Sequence, residues 1–576
     1  MNDRNPGKKR RDDDTPAARP VGARRERYLL AGPERFLTQL ETDPATTLHR
    51  VIPSADGFPA VAVVEMEADR AAMLGATGAV HVEPDLPLQY ARPGAGAGTR
   101  FADPGVLPPG DPAPIGFLVR GSDGRPLPGA EVYLMSEAFP LRGVTGEDGV
   151  AVIDTPAGAL PALDGVYVKP RHDYWAVWLG RPDLTADAPN LITCPSFAET
   201  FPGFPERPLD GWARRALRFD ALPPTFRGDG VRIAIIDSGA AGTHPDLAGR
   251  VTAGLPESDD GGWRVDTVGP GSHAAGIIGG KDDGYGIVGV VPEAELHACK
   301  IFPDGRFSDL IEALDYCLAQ RIDVVNLSLT SAQPSLLVAR KIEQARQAGI
   351  ACVCAAGNSG GPVGFPASMP SVLAVAAIGK VGEYPPESYH ATQVYGVPTV
   401  DGYFAASFSS HGPEIDVCAP GVAIVSAVPA ANYAAWDGTS FAAPYVTGLA
   451  ALLLAHHPEL RELFPGRDAT RVDRLFELIR GSCRPLAPID RNRSGAGLPD
   501  AVAALGLLPP VTTTPPAHPM LAELWQMMAQ SGLIGVNVPT VAEPGISLTV
   551  PAGEPLDPLR AAMRSAGLLP LDPQQA

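Results

Sequence analysis

A parallel α/β sheet with helices on its faces is the fold predicted for the second half of this 576-residue chain, preceded by a small α+β unit and a β-sandwich. Three observations predict it. From Leu217 to Leu505, short continuous apolar runs alternate with longer helix-like stretches, as buried parallel strands and their crossover helices require. Between residues 114 and 192 the apolar runs are short and separated by turn signals, the grammar of an all-β unit. The 63 Gly and 62 Pro are dense in 93–113 and 509–519, which read as linkers between modules.

Taken in order, residues 1–27 mix basic and acidic runs with Pro and Gly, show no apolar period, and read as a disordered leader. Residues 28–92 bring an apolar start at Tyr28-Leu29-Leu30, a helix-like Phe36 to Leu40 and the strand-like Ala60 to Val64. A second helix-like stretch, Ala71 to Leu74, and the strand-like Ala79 to Glu83 follow. Residues 114–192 carry strands at Gly116–Val119, Ala130–Met135, Val150–Ile153 and Val166–Val168, with turns at Ser122-Asp123-Gly124 and Glu147-Asp148-Gly149. No catalytic constellation is visible there. The α/β segment spans 208–508, and after the 509–519 linker comes a tail, 520–576. Met520, Leu521, Leu524, Trp525 and Met528 give the tail an amphipathic helical stretch, suited to packing on the chain's own core or to docking a partner.

Composition excludes some functions. With 46 basic and 65 acidic residues the net charge is −19, so no broad positive field exists to hold nucleic acid or anionic lipid. No apolar run approaches the roughly 20 residues of a membrane span, and the first 27 residues lack the apolar core of a secretion signal. The seven cysteines show no paired metal spacing and several lie in apolar segments, which fits reduced, buried thiols and a cytoplasmic location.

Three motifs carry candidate chemistry. Ile233 to Ile236 runs into Asp237-Ser238-Gly239, which places a carboxylate at a strand end; alone, this is a common loop. Gly438-Thr439-Ser440 opens a helix rich in Gly and Ala, so Ser440 sits at its amino end, as a nucleophile where the dipole favours a developing anion or as a plain cap. Asn358 ends the run Ala351 to Ala355-Ala356-Gly357, and its amide would either face an oxyanion or simply make a turn.

Together, in the chain order Asp, Asn, Ser, these motifs resemble the subtilisin-like serine proteases. Gly289-Val290-Val291-Pro292, Val325-Asn326-Leu327-Ser328-Leu329, Phe365-Pro366-Ala367 and Ala419-Pro420-Gly421 add to the likeness, which covers about half the chain. The resemblance implies a subtilisin-like parallel sheet, with Ser440 as nucleophile, Asp237 orienting the base and Asn358 stabilising the oxyanion. Val80 to Asp85 resembles the propeptide or inhibitor domain that precedes many such proteases, and Gly124 to Val132 resembles transthyretin-like sandwiches.

One position departs. The family's motif H-G-[S/T]-H-x-A-G reads Pro270-Gly271-Ser272-His273-Ala274-Ala275-Gly276 here, so Pro270 stands at the general base and His273 fills the second histidine place. Without a base a serine hydroxyl is a poor nucleophile. In subtilisin, the type enzyme, loss of the base is known to cost about 10⁶ in kcat, leaving about 10³–10⁴ over water. His273, His244 or a base from outside would be the substitutes.

The peptide-binding positions are better kept. Ser328 and Leu329 match the family strand that pairs with an extended peptide, with Gly305 and Phe307 on the opposite edge. Thr330 stands where the family usually has Gly and is expected to narrow the groove. Phe365 and Pro366 would lie near the pocket floor, suiting an apolar side chain. Asp246 and Asp283 resemble in position a Ca²⁺ site of some relatives, or form a solvated acidic loop. Two functions follow: a serine endopeptidase impaired by Pro270, or an inactive pseudoprotease that binds extended peptides or a protein partner. The 28–92 domain is expected to dock on the protease domain in cis, since the 93–113 linker is long enough.

Overall fold

The structure, a computed structural model, describes residues 25–54, 57–90, 112–136, 141–156, 163–256 and 261–507. The leader up to residue 24, the 93–111 part of the first linker, and the linker and amphipathic tail after 508 lie outside the described residues.

The N-terminal unit is a four-stranded antiparallel sheet in the order β2-β3-β1-β4, formed by β1 (Arg25–Gly32), β2 (Thr47–Ile52), β3 (Ala60–Glu67) and β4 (His81–Pro84). On one face Tyr28, Leu30, Ala62, Val64 and Met66 pack with Leu37 and Ala71 of the unit's two helices, Glu34–Gln39 and Ala68–Ala76. The other face, Leu29, Ala31, Val61 and Val63, joins the core under helices Phe307–Ala319 and Leu336–Gln347. Two buried faces explain why Ala60 to Val64 has no polar residue to interrupt it. β2, with its polar residues at alternate exposed positions, is a strand the apolar pattern did not mark.

The β-sandwich has two sheets. β7 (Glu131–Met135), β8 (Leu141–Val144), β10 (Gly165–Lys169) and β11 (Val177–Gly180) form one, in the order β11-β10-β7-β8. β6 (Pro112–Gly121), β9 (Val150–Pro156) and β12 (Asn190–Cys194) form the other, and Ile115, Phe117, Val119, Val132, Leu134 and Val166 fill the space between them.

The large sheet runs β14-β15-β13-β16-β18-β19-β21-β20, with β22 also paired to β19. Its strands are β13 (Arg232–Asp237), β14 (Val251–Leu255), β15 (Glu295–Lys300), β16 (Val324–Leu327), β18 (Ala351–Ala355), β19 (Leu373–Lys380), β20 (Val394–Tyr395), β21 (Tyr403–Ala406) and β22 (Val417–Pro420). All pairings from β14 through β19, and β19 with β22, are parallel; β21 joins antiparallel. The helix Thr439–His456 is long and apolar because it is a core helix, buried along nearly its whole length.

Two further pairings position the site. A short β5 (Gln89–Tyr90) lies antiparallel to β17 (Leu329–Thr330), Tyr90 opposite Leu329 and Gln89 opposite Thr330. The sandwich in turn seats on the hairpin of β23 (Ile424–Val428) and β24 (Asn432–Trp436): Asp173 N–H donates to the Tyr433 carbonyl, and Tyr433 N–H to Asp173 Oδ1. The Tyr167 and Tyr389 rings stack there with centroids 3.9 Å apart.

Candidate active site

Adjacent parallel strands deliver the candidate groups at their carboxyl ends, where open α/β sheets hold their sites. Asp237 is the last residue of β13, Ser328 follows β16, and Asn358 lies just beyond β18, while Ser440 is the second residue of the helix that starts at Thr439.

The nucleophile side is fully wired. Ser440 Oγ donates to the Ser328 carbonyl at 3.3 Å, and Ser328 Oγ donates to the Ser440 carbonyl at 2.9 Å while accepting from Asn326 Nδ2. Asn358 Oδ1 accepts from Thr439 N–H at 2.9 Å and Thr439 Oγ1 at 2.8 Å. That fixes the amide's orientation and turns Nδ2 toward Gly438, where an added Cβ would come within 3.1 Å of it. A donor held in this way beside a helix amino end is suited to stabilise a developing anion.

The base side is not. Asp237 is buried; its Oδ1 accepts from Ser238 N–H at 2.7 Å, but its Oδ2 has no partner among the described residues. Burial, with the negative charge of Asp266 as a second cause, pushes this carboxyl up to about 8. Pro270 is the first residue of the helix Pro270–Gly279, a place proline favours because its φ is already helical and no N–H is needed. The helix sits hard against the loop after Asp237: a Cβ on Gly271 would collide with the Gly239 carbonyl. Asp266 anchors its start, accepting from Val268 and Gly269 N–H and from both the N–H and Oγ of Ser272.

Neither expected substitute histidine is hydrogen-bonded to Ser440 Oγ. His273 Nε2 lies 3.0 Å from the Ile424 carbonyl and 3.2 Å from that of Ala434, its ring stacks on Trp436, and burial pushes its pKa down to about 3. His244 receives Asp246 N–H on Nδ1 and donates Nε2–H to the Asn432 carbonyl, so both nitrogens are engaged. No ionisable side chain among the described residues bonds Ser440 Oγ.

The binding edges hold part of the chain itself. Leu88 N–H donates to the Gly305 carbonyl at 2.8 Å, Phe307 N–H to the Leu86 carbonyl at 3.1 Å, and β5 completes a three-stranded arrangement with Leu329. Two acidic residues anchor this segment at helix starts. Asp85 accepts from the N–H and Oγ of Ser308, and Glu83 from Ser335 Oγ and the N–H groups of Leu336 and Leu337. The Thr330 hydroxyl reaches toward Gly364, which has no room for a Cβ.

The Ca²⁺ donor set is incomplete. Asp246 Oδ2 accepts from Ile287 N–H and its Oδ1 lies beside the Tyr433 hydroxyl, while Asp283 is exposed. Among the described residues no three acidic, His or Cys side chains converge around a point where a metal could sit.

Sequence reasoning did not single out Glu83, Asp85, Asp266 or a buried pair in which His390 Nδ1 lies 2.6 Å from Asp437 Oδ1. Asp266, four residues before the helix that starts at Pro270, and Asp437, two before the one that starts at Thr439, were the signals available.

The sequence profile of the Subtilase family matches residues 228–468. The chain is 35% identical over 241 residues to the subtilisin of Bacillus pumilus, covering 40% of this chain and 80% of that protein. It is 33% identical over 243 residues to subtilisin DY of Bacillus licheniformis, covering 41% and 80%. Against subtilisin E of Bacillus subtilis strain 168 the figures are 35%, 40% and 58%. A helix-flanked parallel sheet that brings Asp237, Asn358 and Ser440 to neighbouring strand and helix ends is thus joined to direct sequence kinship, and this chain belongs to the subtilase family.

Proposed function

We propose that this subtilase binds extended polypeptide in its groove but hydrolyses it poorly, because the proton-transfer step lacks its base. The observation that carries the reading is Asp237 Oδ2, buried without a donor beside a helix whose first residue is Pro270. In a serine protease that oxygen holds an imidazole, which takes the serine's proton and returns it to the leaving amine. A proline ring offers no titratable group for either transfer. Ser440 therefore keeps its proton, and the donors around it stabilise an oxyanion that seldom forms.

Recognition rests on backbone, which survives the replacement. Leu329 and Gly305 present peptide groups to a strand lying between them, and residues 86–90 already make those bonds. The N-terminal unit acts, on this reading, as an inhibitor held in cis by Glu83 and Asp85. The test is anisotropy of a labelled, unfolded casein fragment with a Glu83→Ala/Asp85→Ala variant, whose anchors are loosened. Binding with intact fragment recovered is expected. Fragment cleaved at ordinary protease rates, or no binding at all, would overturn the proposal.

A further inference from the structure

Three stretches of backbone meet beside Ser440. Ser331, which follows β17, donates its N–H to the Phe365 carbonyl at 2.7 Å and accepts from Phe365 N–H at 3.1 Å. Gly364 N–H donates to the Ala356 carbonyl at 3.0 Å, and Gly357 N–H donates to Thr439 Oγ1 at 3.2 Å. Two of the residues that face one another across this junction, Gly357 and Gly364, have no side chain to fill it.

Thr330 fills it. A Cβ on Gly364 would collide with Thr330 Oγ1 and lie 3.3 Å from Thr330 Cβ, while a Cβ on Gly357 would come within 3.8 Å of the same hydroxyl. Oγ1 therefore stands between the two glycines. Threonine branches at Cβ and is stiff at χ1, so the side chain does not readily swing clear. Glycine at position 330 would leave the junction open as a pocket.

The pairing of β5 fixes which residue of a bound chain meets this space. Gln89 lies opposite Thr330 and Tyr90 opposite Leu329 in antiparallel register, so a polypeptide continuing that register brings its next residue opposite Ser328. Directly paired residues project their side chains to the same face, and every second residue of a strand shares that face. The residue opposite Ser328 thus projects on the side of Ser328 and Thr330, toward Gly357 and Gly364. It is also the residue carried nearest to Ser440, whose Oγ donates to the Ser328 carbonyl. Leu329 turns to the other side and joins the core that holds Leu88, Phe307 and Phe365.

We infer that Thr330 selects the polypeptide: the residue opposite Ser328 has to be glycine or alanine, because Thr330 Oγ1 occupies the room that a longer side chain needs. Forcing such a side chain in would overpack the junction and push β17 away from Phe365. The inference rests on the peptide-binding reading above and deepens it by naming the ligand. That ligand is an extended chain with an apolar residue in the place of Leu88 and glycine or alanine three positions later.

The test is anisotropy with the full chain carrying Glu83→Ala/Asp85→Ala. The probes are labelled synthetic peptides that copy Glu83–Tyr90 and continue with glycine, alanine, leucine or phenylalanine. The glycine and alanine peptides are expected to bind about tenfold more tightly than the other two, or better. Thr330→Ala, which removes both γ atoms, should erase most of that difference by strengthening the leucine and phenylalanine peptides. Thr330→Val, which keeps the bulk and loses the hydroxyl, should preserve it. Equal affinity for all the peptides, a preference unchanged in Thr330→Ala, or one lost in Thr330→Val would overturn the role of Thr330 and leave the peptide-binding reading standing. Binding of none of them would overturn both.

Discussion

On the wall of the groove the polar groups around Ser440 are matched: Asn326 bonds Ser328, which bonds the Ser440 carbonyl, and Thr439 bonds Asn358 through both its N–H and its hydroxyl. A short distance away, at the start of the Pro270 helix, Asp237 Oδ2 and His273 Nδ1 are both buried without partners. A buried acceptor left unmade costs about 1–3 kcal/mol, so the second region is retained at a cost in stability that the first does not bear. The contrast teaches where each capacity resides. On the proposed reading, recognition is spread over backbone groups of several strands, and proton transfer would depend on one side chain at position 270.

The largest expected effect breaks the contrast directly. In the Glu83→Ala/Asp85→Ala background, Pro270→His should raise hydrolysis of a chromogenic peptide by about 10³-fold or more, because the imidazole would meet Asp237 Oδ2 and Ser440 together. Peptide affinity should change little. If affinity fell with the gain in turnover, the two regions would not be separable as described.

His273→Ala should destabilise the fold by ~3 kcal/mol, through the cavity left under Trp436 and the lost bonds to the hairpin carbonyls. Denaturant melts measure this. Activity in the Pro270→His background should survive wherever the protein stays folded; its disappearance would make His273 a participant in proton transfer.

Asp237→Asn sharpens the account of the unmatched corner. The folded-state pKa, about 8, lies above the ordinary carboxyl value of 3.8, so between those limits the folded chain holds a proton that the unfolded chain has released. Stability contributed by this group is therefore full below pH 4 and falls as pH rises toward 8. Replacing the carboxyl by a neutral amide should raise stability by ~2 kcal/mol near pH 8 and by almost nothing near pH 4. A gain of equal size at both pH values would mean that charge is not the cause.

The smallest effects belong to the segment that lies in the groove. Glu83→Ala and Asp85→Ala taken singly should each loosen the N-terminal unit by ~1 kcal/mol, as loss of a charged helix-start partner does. Hydrogen exchange at Leu88 and Tyr90 should rise in step. No rise in either variant would locate the hold of this unit elsewhere, in Arg50 with Asp309 and Glu312 or in Phe58 beneath Lys341.

Much of this was legible in the sequence because it was local. Ile233 to Asp237 and Ala351 to Asn358 are continuous apolar runs ending in small and polar residues, and such runs mark strand ends of a parallel sheet. The register of Pro270 followed from its neighbours Ser272, His273 and Gly276. What escaped was long-range or polar. Glu83 meets Ser335 across 252 positions and His390 meets Asp437 across 47, and no periodicity encodes such meetings. β2 and β8 carry polar residues on exposed alternate positions, which hides a strand from any search for apolar runs.

The central claim, that Ser440 is held in place but not activated, is tested most directly by fluorophosphonate labelling, which reads serine nucleophilicity without requiring turnover. The comparison is between the Glu83→Ala/Asp85→Ala protein and the same protein with Pro270→His added. The account predicts no labelling in the first, labelling in the second, and its loss when Ser440→Ala is introduced. Equal labelling of both proteins, abolished by Ser440→Ala, would contradict it and show that this chain activates its serine without a histidine at position 270.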